Sequence, residues 1–302
     1  MNIVKSNLLL LLTAAIWGFA FVAQRAGMEF VGPFTFNGVR FLLGSISLLP
    51  LLFIFRKDKY LPEKKRGWLL PGLIAGLILF TAASLQQIGI ITTTAGKAAF
   101  ITSLYIVLVP IIGLLIGFTT SKGTWVGCVL AATGLYFLCI RETASIQIGD
   151  LLVLISAFLW AVHILVIGYF SPRVEVLKLS FIQFMTCALL SLLMAFITEE
   201  ILISSLLDAA IPILYGGIGS VGIAYTLQAV GQKHARPAHA AIILSLEAVF
   251  AALGGFLLLS EQLDSRELFG CLLMFSGMMV SQIYGLTTGR EKAADRITRE
   301  QL

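Results

Sequence analysis

Long apolar runs recur along almost the whole chain, and most are about as long as a bilayer is thick. A helix needs about 20 apolar residues to cross the hydrocarbon core. The runs lie near 7–25, 34–55, 68–88, 98–117, 124–140, 150–170, 176–198, 211–231, 238–259 and 268–286. The sequence therefore predicts ten transmembrane helices, and the short connections between them leave no room for a soluble domain.

The composition indicates an integral membrane protein. Hydrophobic residues make up 58% of the 302 residues and charged residues only 12%, whereas a soluble domain has about 25% charged residues. So little polar surface cannot cover soluble domains of this total length. The first run begins at Asn7 and contains no small-residue cleavage site before a polar segment, so we expect a retained span and not a signal peptide.

The cysteines do not indicate a metal site or a disulfide framework. The four of them lie inside apolar runs, without CxxC spacing and without a nearby histidine pair: Cys128, Cys139, Cys187 and Cys271. Zinc sites and disulfide scaffolds show such spacings. We expect packing roles for the cysteines, and no metal and no cofactor for the protein.

The lysines and arginines predict the orientation of the chain. With a cytoplasmic N-terminus, sixteen of the 21 basic residues fall in cytoplasmic segments, most densely in RKDKYLPEKKR at 56–66. The opposite face collects acids such as Glu199 and Glu200. Because basic loops stay in the cytoplasm, we expect a multi-pass protein of the cell membrane with both termini cytoplasmic.

The two halves of the chain resemble each other. GCVLAATGLYF (127–137) matches GCLLMFSGMMV (270–280), and LLLLLTAAIWGFAFV (8–22) matches LLVLISAFLWAVHIL (151–165), which pairs Trp17 with Trp160. GKAAFITSLYIV (96–107) matches AHAAIILSLEAV (238–249). We predict a five-helix repeat at 1–145, a second at 146–290 and a cytoplasmic tail at 291–302.

The odd number of spans in each half predicts the architecture. The second half must enter the membrane from the opposite side, so the repeats are inverted about an axis in the membrane plane. This arrangement is typical of secondary transporters, whose substrate sites lie near the bilayer midplane. The predicted fold is an all-α integral membrane protein, with ten transmembrane helices arranged as two inverted five-helix repeats around a central cavity.

The sequence also resembles the EamA-type carriers of the drug/metabolite transporter superfamily, over about residues 7–286. The resemblance rests on AAIWGFAFV (14–22), on SLEAVFAALGGFLLLSEQL (245–263) and on the glycine-containing last span of each half. Many members have Glu-Pro in the ninth span, whereas Glu247 is followed here by Ala248, so a helix break beside Glu247 is not predicted. The resemblance implies a ten-helix bundle whose central cavity exports or imports small metabolites.

Glu247 is the strongest functional candidate. It lies near the middle of the ninth span, where an ionised carboxylate costs a few kcal/mol, so we expect it to face the bundle interior or a wet cavity. The functional interpretations are a proton-coupling site or a counter-ion for an amino group. The alternative is a structural acid that links helices.

Lys97 lies in TTTAGKAA (92–99), which resembles a phosphate-binding loop only faintly. The pattern G-x-x-x-x-G-K-[ST] requires a glycine and a hydroxyl residue where the chain has Ile91 and Ala98, so transport driven by a gradient is favoured over ATP hydrolysis. Lys97 is either an interfacial residue whose ammonium reaches water or a cation at the cavity mouth that attracts carboxylate or phosphate.

Five further candidates for substrate binding are aromatic or polar residues inside the spans: Trp17, Tyr105, His163, Tyr225 and Gln228. Each has a structural alternative. The aromatic rings would serve ordinary packing, and the histidine would be a buried neutral group bonded to a backbone carbonyl and not a proton relay. Gln228 aligns with Gln87 in the first half, and such a pair would link helices or line a gate.

Two other features leave alternatives open. Arg40, in the external half of the second span, is a structural or interfacial residue or else a contact for an anionic ligand. YGGIGSVG (215–222) has more glycine than close helix contact requires, which favours a flexible eighth span.

These patterns predict a secondary transporter, a permease or exporter, and not an enzyme. Its substrates would be small metabolites such as amino acids or related compounds, moved by alternating access, with the proton as a candidate coupling ion. Expected partners are the small-molecule substrate and the lipid bilayer, and no nucleic acid. The alternative is an integral membrane enzyme acting on lipid-like substrates; such enzymes usually show clustered aspartates or histidines, and this chain has three histidines and no such cluster.

Overall fold

The protein is described here by a computed structural model that covers residues 3–54, 67–118, 120–139, 147–259 and 265–300. These residues form helices joined by short turns, with no strand among them. The basic cluster predicted at 56–66 lies outside the described residues. The helices are α1 (Ile3–Gly27), α2 (Pro33–Ser47), α3 (Leu49–Ile54), α4 (Leu69–Gly89), α5 (Ala95–Ser103), α6 (Tyr105–Leu115), α7 (Lys122–Cys139), α8 (Ile148–Phe170), α9 (Val176–Thr198), α10 (Ile203–Asp208), α11 (Ala210–Leu214), a π-helix (Tyr215–Tyr225), α12 (Thr226–Gln232), α13 (Pro237–Leu244), α14 (Glu247–Leu259) and α15 (Ser265–Glu300).

Eight helical segments of the described chain are long and apolar enough to cross a membrane. They are Ile3–Gly27, Pro33–Ile54, Leu69–Gly89, Ala95–Leu115, Ile148–Phe170, Val176–Thr198, Ala210–Gln232 and Pro237–Leu257. The predicted fifth and tenth spans correspond to α7 and to the apolar stretch Leu268–Ser281 of α15. The protein is therefore a helical multi-pass membrane protein, as predicted, and the count of ten spans stays a prediction.

Large apolar side chains cover the outer surface of the helix bundle. Phe196 is 85% exposed, and Leu115 and Ile211 are each 82% exposed. In water this surface would cause aggregation, because soluble monomers seldom expose large apolar patches. Hydrocarbon tails solvate such side chains, so the outer surface agrees with a position in lipid.

Helix contacts in the first half have counterparts in the second. The helices α7 and α15 pack together, as do α2 and α9, and each of these two pairs joins equivalent positions of the sequence repeat. The contact of α6 with α13 is matched by that of α14 with α5. The contact of α4 with α8 is matched by that of α12 and the π-helix with α1. The contact of α1 with α14 is matched by that of α8 with α6. Exchanging the halves thus preserves these contacts.

Glycines allow α7 and α15 to touch through their backbones. A Cβ atom added at Gly127 would lie 2.7 Å from the carbonyl oxygen of Gly277, and one added at Gly134 would lie 2.5 Å from that of Gly270. Real Cβ atoms do not approach oxygen so closely. This contact between the halves therefore depends on small residues, as is common between membrane helices.

Two long spans are interrupted at equivalent positions. One breaks at Leu104, between α5 and α6, and the other at Ser245 and Leu246, between α13 and α14. At both breaks an amide bonds to the carbonyl three residues earlier, from Leu104 to Ile101 and from Leu246 to Ile243, each at 3.2 Å. The second break was not predicted, because Ala248 and not a proline follows Glu247. A proline at that position is therefore not its cause.

The glycine-rich segment of the eighth span is a π-helix of 11 residues. A π-helix bonds residue i to residue i+5, has a wider turn than an α-helix and occurs frequently at functional sites. The segment packs against α1 and α2. Its flexibility stays a prediction, but its unusual geometry lies in the stretch that the sequence singled out.

Candidate functional site

A narrow cavity of about 30 Å³ lies inside the bundle. Its walls include Tyr105 and Glu247, the first helical residues after the two breaks, together with Ser220 and Tyr225 of the π-helix. Five of the seven predicted substrate-binding residues line it: Trp17, Tyr105, Tyr225, Gln228 and Glu247. The two helix breaks and the π-helix thus place residues from both halves around one space.

Glu247 is held at the junction of the two helix breaks. The residue is 3% exposed, and its Oε1 accepts a hydrogen bond of 3.5 Å from Ser103 Oγ. The same hydroxyl lies 3.4 Å from the carbonyl oxygen of Ser245, and Tyr105 neighbours the carboxyl. Among the described residues no cation forms an ion pair with Glu247, so its carboxyl can exchange a proton or bind a cationic group.

Aromatic rings form the apolar part of the cavity wall. The ring of Tyr225 lies between two tryptophans, 4.6 Å from Trp17 and 6.1 Å from Trp160 between centroids. Trp17 Nε1 donates to the carbonyl oxygen of Ser220, at 3.3 Å, which fixes its ring against the π-helix. Flat and fixed rings of this kind suit an apolar or aromatic portion of a ligand.

A network of side-chain amides fixes another wall of the cavity. Gln86 Oε1 accepts hydrogen bonds from Trp160 Nε1, at 2.7 Å, and Thr102 Oγ1, at 3.3 Å. Gln86 Nε2 donates to Gln24 Oε1 at 3.1 Å. These groups satisfy one another across four spans, so they shape the cavity without requiring a ligand.

Gln24 also belongs to this wall and was not predicted to do so. Gln24 follows Trp17 by seven residues, and positions two turns apart share a helix face. That spacing is the signal that could have identified it. Phe21, Thr102 and Ser220 also line the cavity and were not predicted.

Lys97 lies away from the cavity, where α5 and α8 begin. Its Nζ is 2.6 Å from Oδ2 of Asp150. Asp150 also accepts hydrogen bonds of 2.7 Å from the hydroxyl of Thr93 and of 2.7 Å from the backbone amide of Gln147. This ion pair, the Lys97–Asp150 pair, joins the first half of the chain to the second and was not predicted from the sequence.

His163 lies behind the aromatic wall and is fully buried. Its Nε2 is 3.0 Å from Oε1 of Gln183, and its ring meets the rings of Trp160 and Tyr225 edge-on. Its partner is therefore a side-chain amide and not the backbone carbonyl that we expected. The histidine supports two rings that line the cavity.

A second polar cluster occupies the position related to the Lys97–Asp150 pair by the sequence repeat. His239 lies 142 residues after Lys97, and Asp150 lies 143 residues after Asn7. His239 Nε2 is 3.2 Å from Asn7 Oδ1, and His239 Nδ1 is 2.8 Å from Oγ of Ser281. We call this the His239–Asn7 pair.

The two pairs lie at opposite ends of the bundle. Phe21, near the end of α1, packs in one cluster with Ala98 of α5 and Val153 of α8, next to the Lys97–Asp150 pair. Asn7 precedes Phe21 by 14 residues of α1, a rise of about 21 Å. The halves are therefore joined by polar contacts at both ends, with the cavity between them.

Comparison with known proteins identifies the family. The model of the EamA-like transporter family matches residues 4–140 and again residues 147–282. The chain belongs to this family. The EamA-like transporter family is part of the drug/metabolite transporter superfamily, so the resemblance seen in the sequence is confirmed and the protein is a member of a transporter family.

Several relatives match this family member over nearly their full lengths. An uncharacterized transporter of Archaeoglobus fulgidus is 32% identical over 278 residues, which cover 91% of this chain and 85% of that protein. The uncharacterized transporter YoaV of Bacillus subtilis is 25% identical and is covered to 97%, with 92% of this chain. A protein of known crystal structure matches with a TM-score of 0.76 at 18% identity, over 92% of this chain and 96% of that one, which shows the fold alone.

Proposed function

We propose that this family member is a secondary transporter that carries small metabolites, such as amino acids or related compounds, through its cavity by alternating access. The observation that carries the proposal is the placement of Glu247. A buried carboxyl at a helix break lines a cavity built from both halves of the chain. Interrupted helices that supply polar groups near the midplane are typical of secondary transporters.

The cavity supports a small amphipathic substrate. The residues that line the cavity present two kinds of surface. One part of its surface is aromatic, with Trp17 and Tyr225, and another is polar, with Gln228 and Glu247. A molecule with an apolar portion and a polar end matches both surfaces.

The two polar pairs support alternating access between inverted repeats at 1–145 and 146–290. Each pair joins the halves at one end of the bundle, so breaking one pair opens that end while the other stays closed. With the cytoplasmic N-terminus that the basic residues favour, the Lys97–Asp150 pair would face the exterior and the His239–Asn7 pair the cytoplasm. The tail at 291–302 would then be cytoplasmic.

Glu247 would couple transport to a proton gradient. The carboxyl has a hydroxyl partner, Ser103, in place of a cation, and an uncompensated charge in this position is costly. Protonation removes that charge, and binding of a cationic group compensates it. The exchange of a proton at Glu247 would thus link the protonation state of the cavity to its occupancy.

The test is uptake by proteoliposomes with a panel of metabolites, with and without a pH gradient. We compare the wild type, Glu247→Gln and Glu175→Gln as a matched control. Glu175 is paired with Lys178 at 2.9 Å on the exposed surface, so its loss should not alter the cavity. We expect gradient-stimulated uptake in the wild type and the control, and no response to the gradient in Glu247→Gln.

Two results would contradict parts of the proposal separately. If the wild type takes up no metabolite of the panel, transport of this substrate class is wrong. If Glu247→Gln keeps the wild-type rate and the same dependence on the gradient, transport stands and the coupling role of Glu247 is wrong.

A further inference from the structure

Arg40 is the charged residue of the cavity to which the proposed function gives no role. It lies in α2, lines the cavity and is only 2% exposed. Among the described residues no carboxylate forms an ion pair with it. A buried cation without a counter-ion is costly in a membrane. A negatively charged ligand in the cavity would supply that counter-ion.

The surroundings of Arg40 fix the direction of its side chain. Its Nε donates a hydrogen bond of 3.0 Å to Oδ1 of Asn37, and Asn37 Nδ2 donates at 3.1 Å to the carbonyl oxygen of Ala83. The guanidinium carbon lies 5.5 Å from the ring centre of Phe36 and 4.9 Å from that of Phe41. The arginine is therefore oriented before any ligand arrives, which lowers the entropic cost of binding.

The hydrogen bond of Arg40 Nε to Asn37 leaves the two terminal nitrogens of the guanidinium available to a ligand. Arginine has five N–H donors, and the bond to Asn37 engages the one on Nε. The two terminal nitrogens can donate in parallel to the two oxygens of a carboxylate, a geometry that favours planar oxyanions. A side chain at position 216 would crowd this arrangement, since a Cβ atom on Gly216 would lie 3.3 Å from Cδ of Arg40.

Gln228 gives independent support for a bound ligand. Its Nε2 and Oε1 are both buried and have no hydrogen-bond partner in the described part of the chain, and the residue lines the same cavity. In contrast, the amides of Gln24 and Gln86, which also line the cavity, are engaged with each other. Buried polar groups are usually satisfied, so this amide is available to hydrogen-bond a polar ligand in the cavity.

We propose that Arg40 is an anion-binding subsite of the cavity, and that the transported solute carries a carboxylate or another oxyanion of single negative charge. This inference rests on the proposed transport function and adds to it the charge of the substrate. With Glu247 protonated, the cavity has one positive charge, on Arg40, which a single negative charge neutralises. A dianionic phosphate would require a second cation, and Lys97 is occupied by Asp150.

The test compares isosteric ligands that differ in charge. Binding of 3-phenylpropionate, 3-phenylpropionamide and 3-phenylpropylamine, and of hexanoate, hexanamide and hexylamine, is measured by calorimetry on the full-length protein in detergent. In the wild type we expect at least one acid to bind about tenfold or more tightly than its amide, because a hydrogen bond to a charged group has about this value. Two results with the wild-type protein alone would overturn the inference: equal affinity of acid and amide in both series, or no binding of either acid.

Variants then assign the preference to Arg40. Arg40→Gln should abolish the preference for the acid, and Arg40→Lys should retain part of it, because the charge remains and the planar fork is lost. Arg173→Gln is the matched control, since Arg173 stacks on Tyr169 with 4.0 Å between the guanidinium carbon and the ring centre and does not line this cavity. If the folded Arg40→Gln variant still prefers the acid, the carboxylate binds to a residue other than Arg40, and the inference is wrong.

Counterflow of the preferred acid in proteoliposomes distinguishes this inference from the proposed function. Acid-selective binding without flux would support the subsite and contradict transport of this class of solute. Flux of amines or neutral compounds, with no acid preference in binding or uptake, would contradict the subsite and leave the transport function standing.

Discussion

His239 Nε2 lies 3.2 Å from Asn7 Oδ1. At the other end of the bundle, Lys97 Nζ lies 2.6 Å from Asp150 Oδ2. The two contacts occupy equivalent sites of the repeat, but one is an ion pair and the other joins an amide and an imidazole. Charge-assisted hydrogen bonds are about twice as strong as neutral ones. The two ends should therefore differ in how firmly they are closed, with the Lys97–Asp150 end the firmer.

Replacing Asp150 by asparagine should open the Lys97–Asp150 end more often. The variant keeps the shape of the side chain and removes its charge, so the contact with Lys97 is weakened. The readout is the rate at which a membrane-impermeant maleimide labels a cysteine at Phe21, which lines the cavity towards this end, in a background without native cysteines. We expect labelling to be several-fold faster than without the Asp150 change.

Lys178→Met is the control for this measurement, because it breaks the exposed ion pair with Glu175. Exposed pairs contribute about 0–1 kcal/mol, so we expect no change in labelling. Equal rates in Asp150→Asn and the control would show that the Lys97–Asp150 pair does not hold this end closed.

Transplanting the ion pair to the other end should slow the opening of that end. The double variant Asn7→Asp with His239→Lys places the residues of the Lys97–Asp150 pair at the equivalent positions. Labelling of a cysteine at Ile164, another cavity residue, from the His239–Asn7 end should become slower, and the single change Asn7→Asp should have a smaller effect. Unchanged or faster labelling in the double variant would contradict unequal closure.

The two cavity glutamines should respond in opposite ways to replacement by methionine. Gln86→Met leaves the partners Trp160 and Gln24 with buried unpaired groups, each of which costs about 1–3 kcal/mol. Gln228→Met removes an amide that has no partner among the described residues, so the free energy of unfolding should stay close to that of the wild type or rise, while transport falls. Chemical unfolding in micelles and uptake in proteoliposomes measure the two effects, and a larger stability loss in Gln228→Met would contradict the assignment.

Alanine at Gly277 should destabilise the contact between α7 and α15. Its Cβ atom would lie 2.6 Å from the carbonyl oxygen of Gly127, and overpacking of this kind costs about 1–3 kcal/mol. Gly96→Ala is the matched control, since in the described part of the chain no atom beyond its own helix turn lies within 4 Å of its added Cβ. Thermal unfolding in detergent should show a lower midpoint for Gly277→Ala alone, and equal midpoints would mean that the backbones do not touch.

Residue type and spacing along the chain were enough to predict much of this architecture. Eight of the predicted apolar runs correspond to described helices that are long and apolar enough to cross a membrane, and the family assignment is confirmed by a match in each half. Both depend on local properties, because each residue contributes its own transfer free energy to a membrane span. The same local argument indicated that Glu247 must face the interior, where it is buried.

The partners of the polar residues were decided by the tertiary structure. Lys97 meets Asp150, 53 residues away in sequence, and the helix break beside Glu247 forms without a proline. Arg40 reaches the cavity because Asn37 and two phenylalanine rings direct it there. Hydropathy indicates only that a polar side chain avoids lipid. The partner of that side chain depends on how distant helix faces pack, because hydrogen bonds and ion pairs are short-ranged and directional.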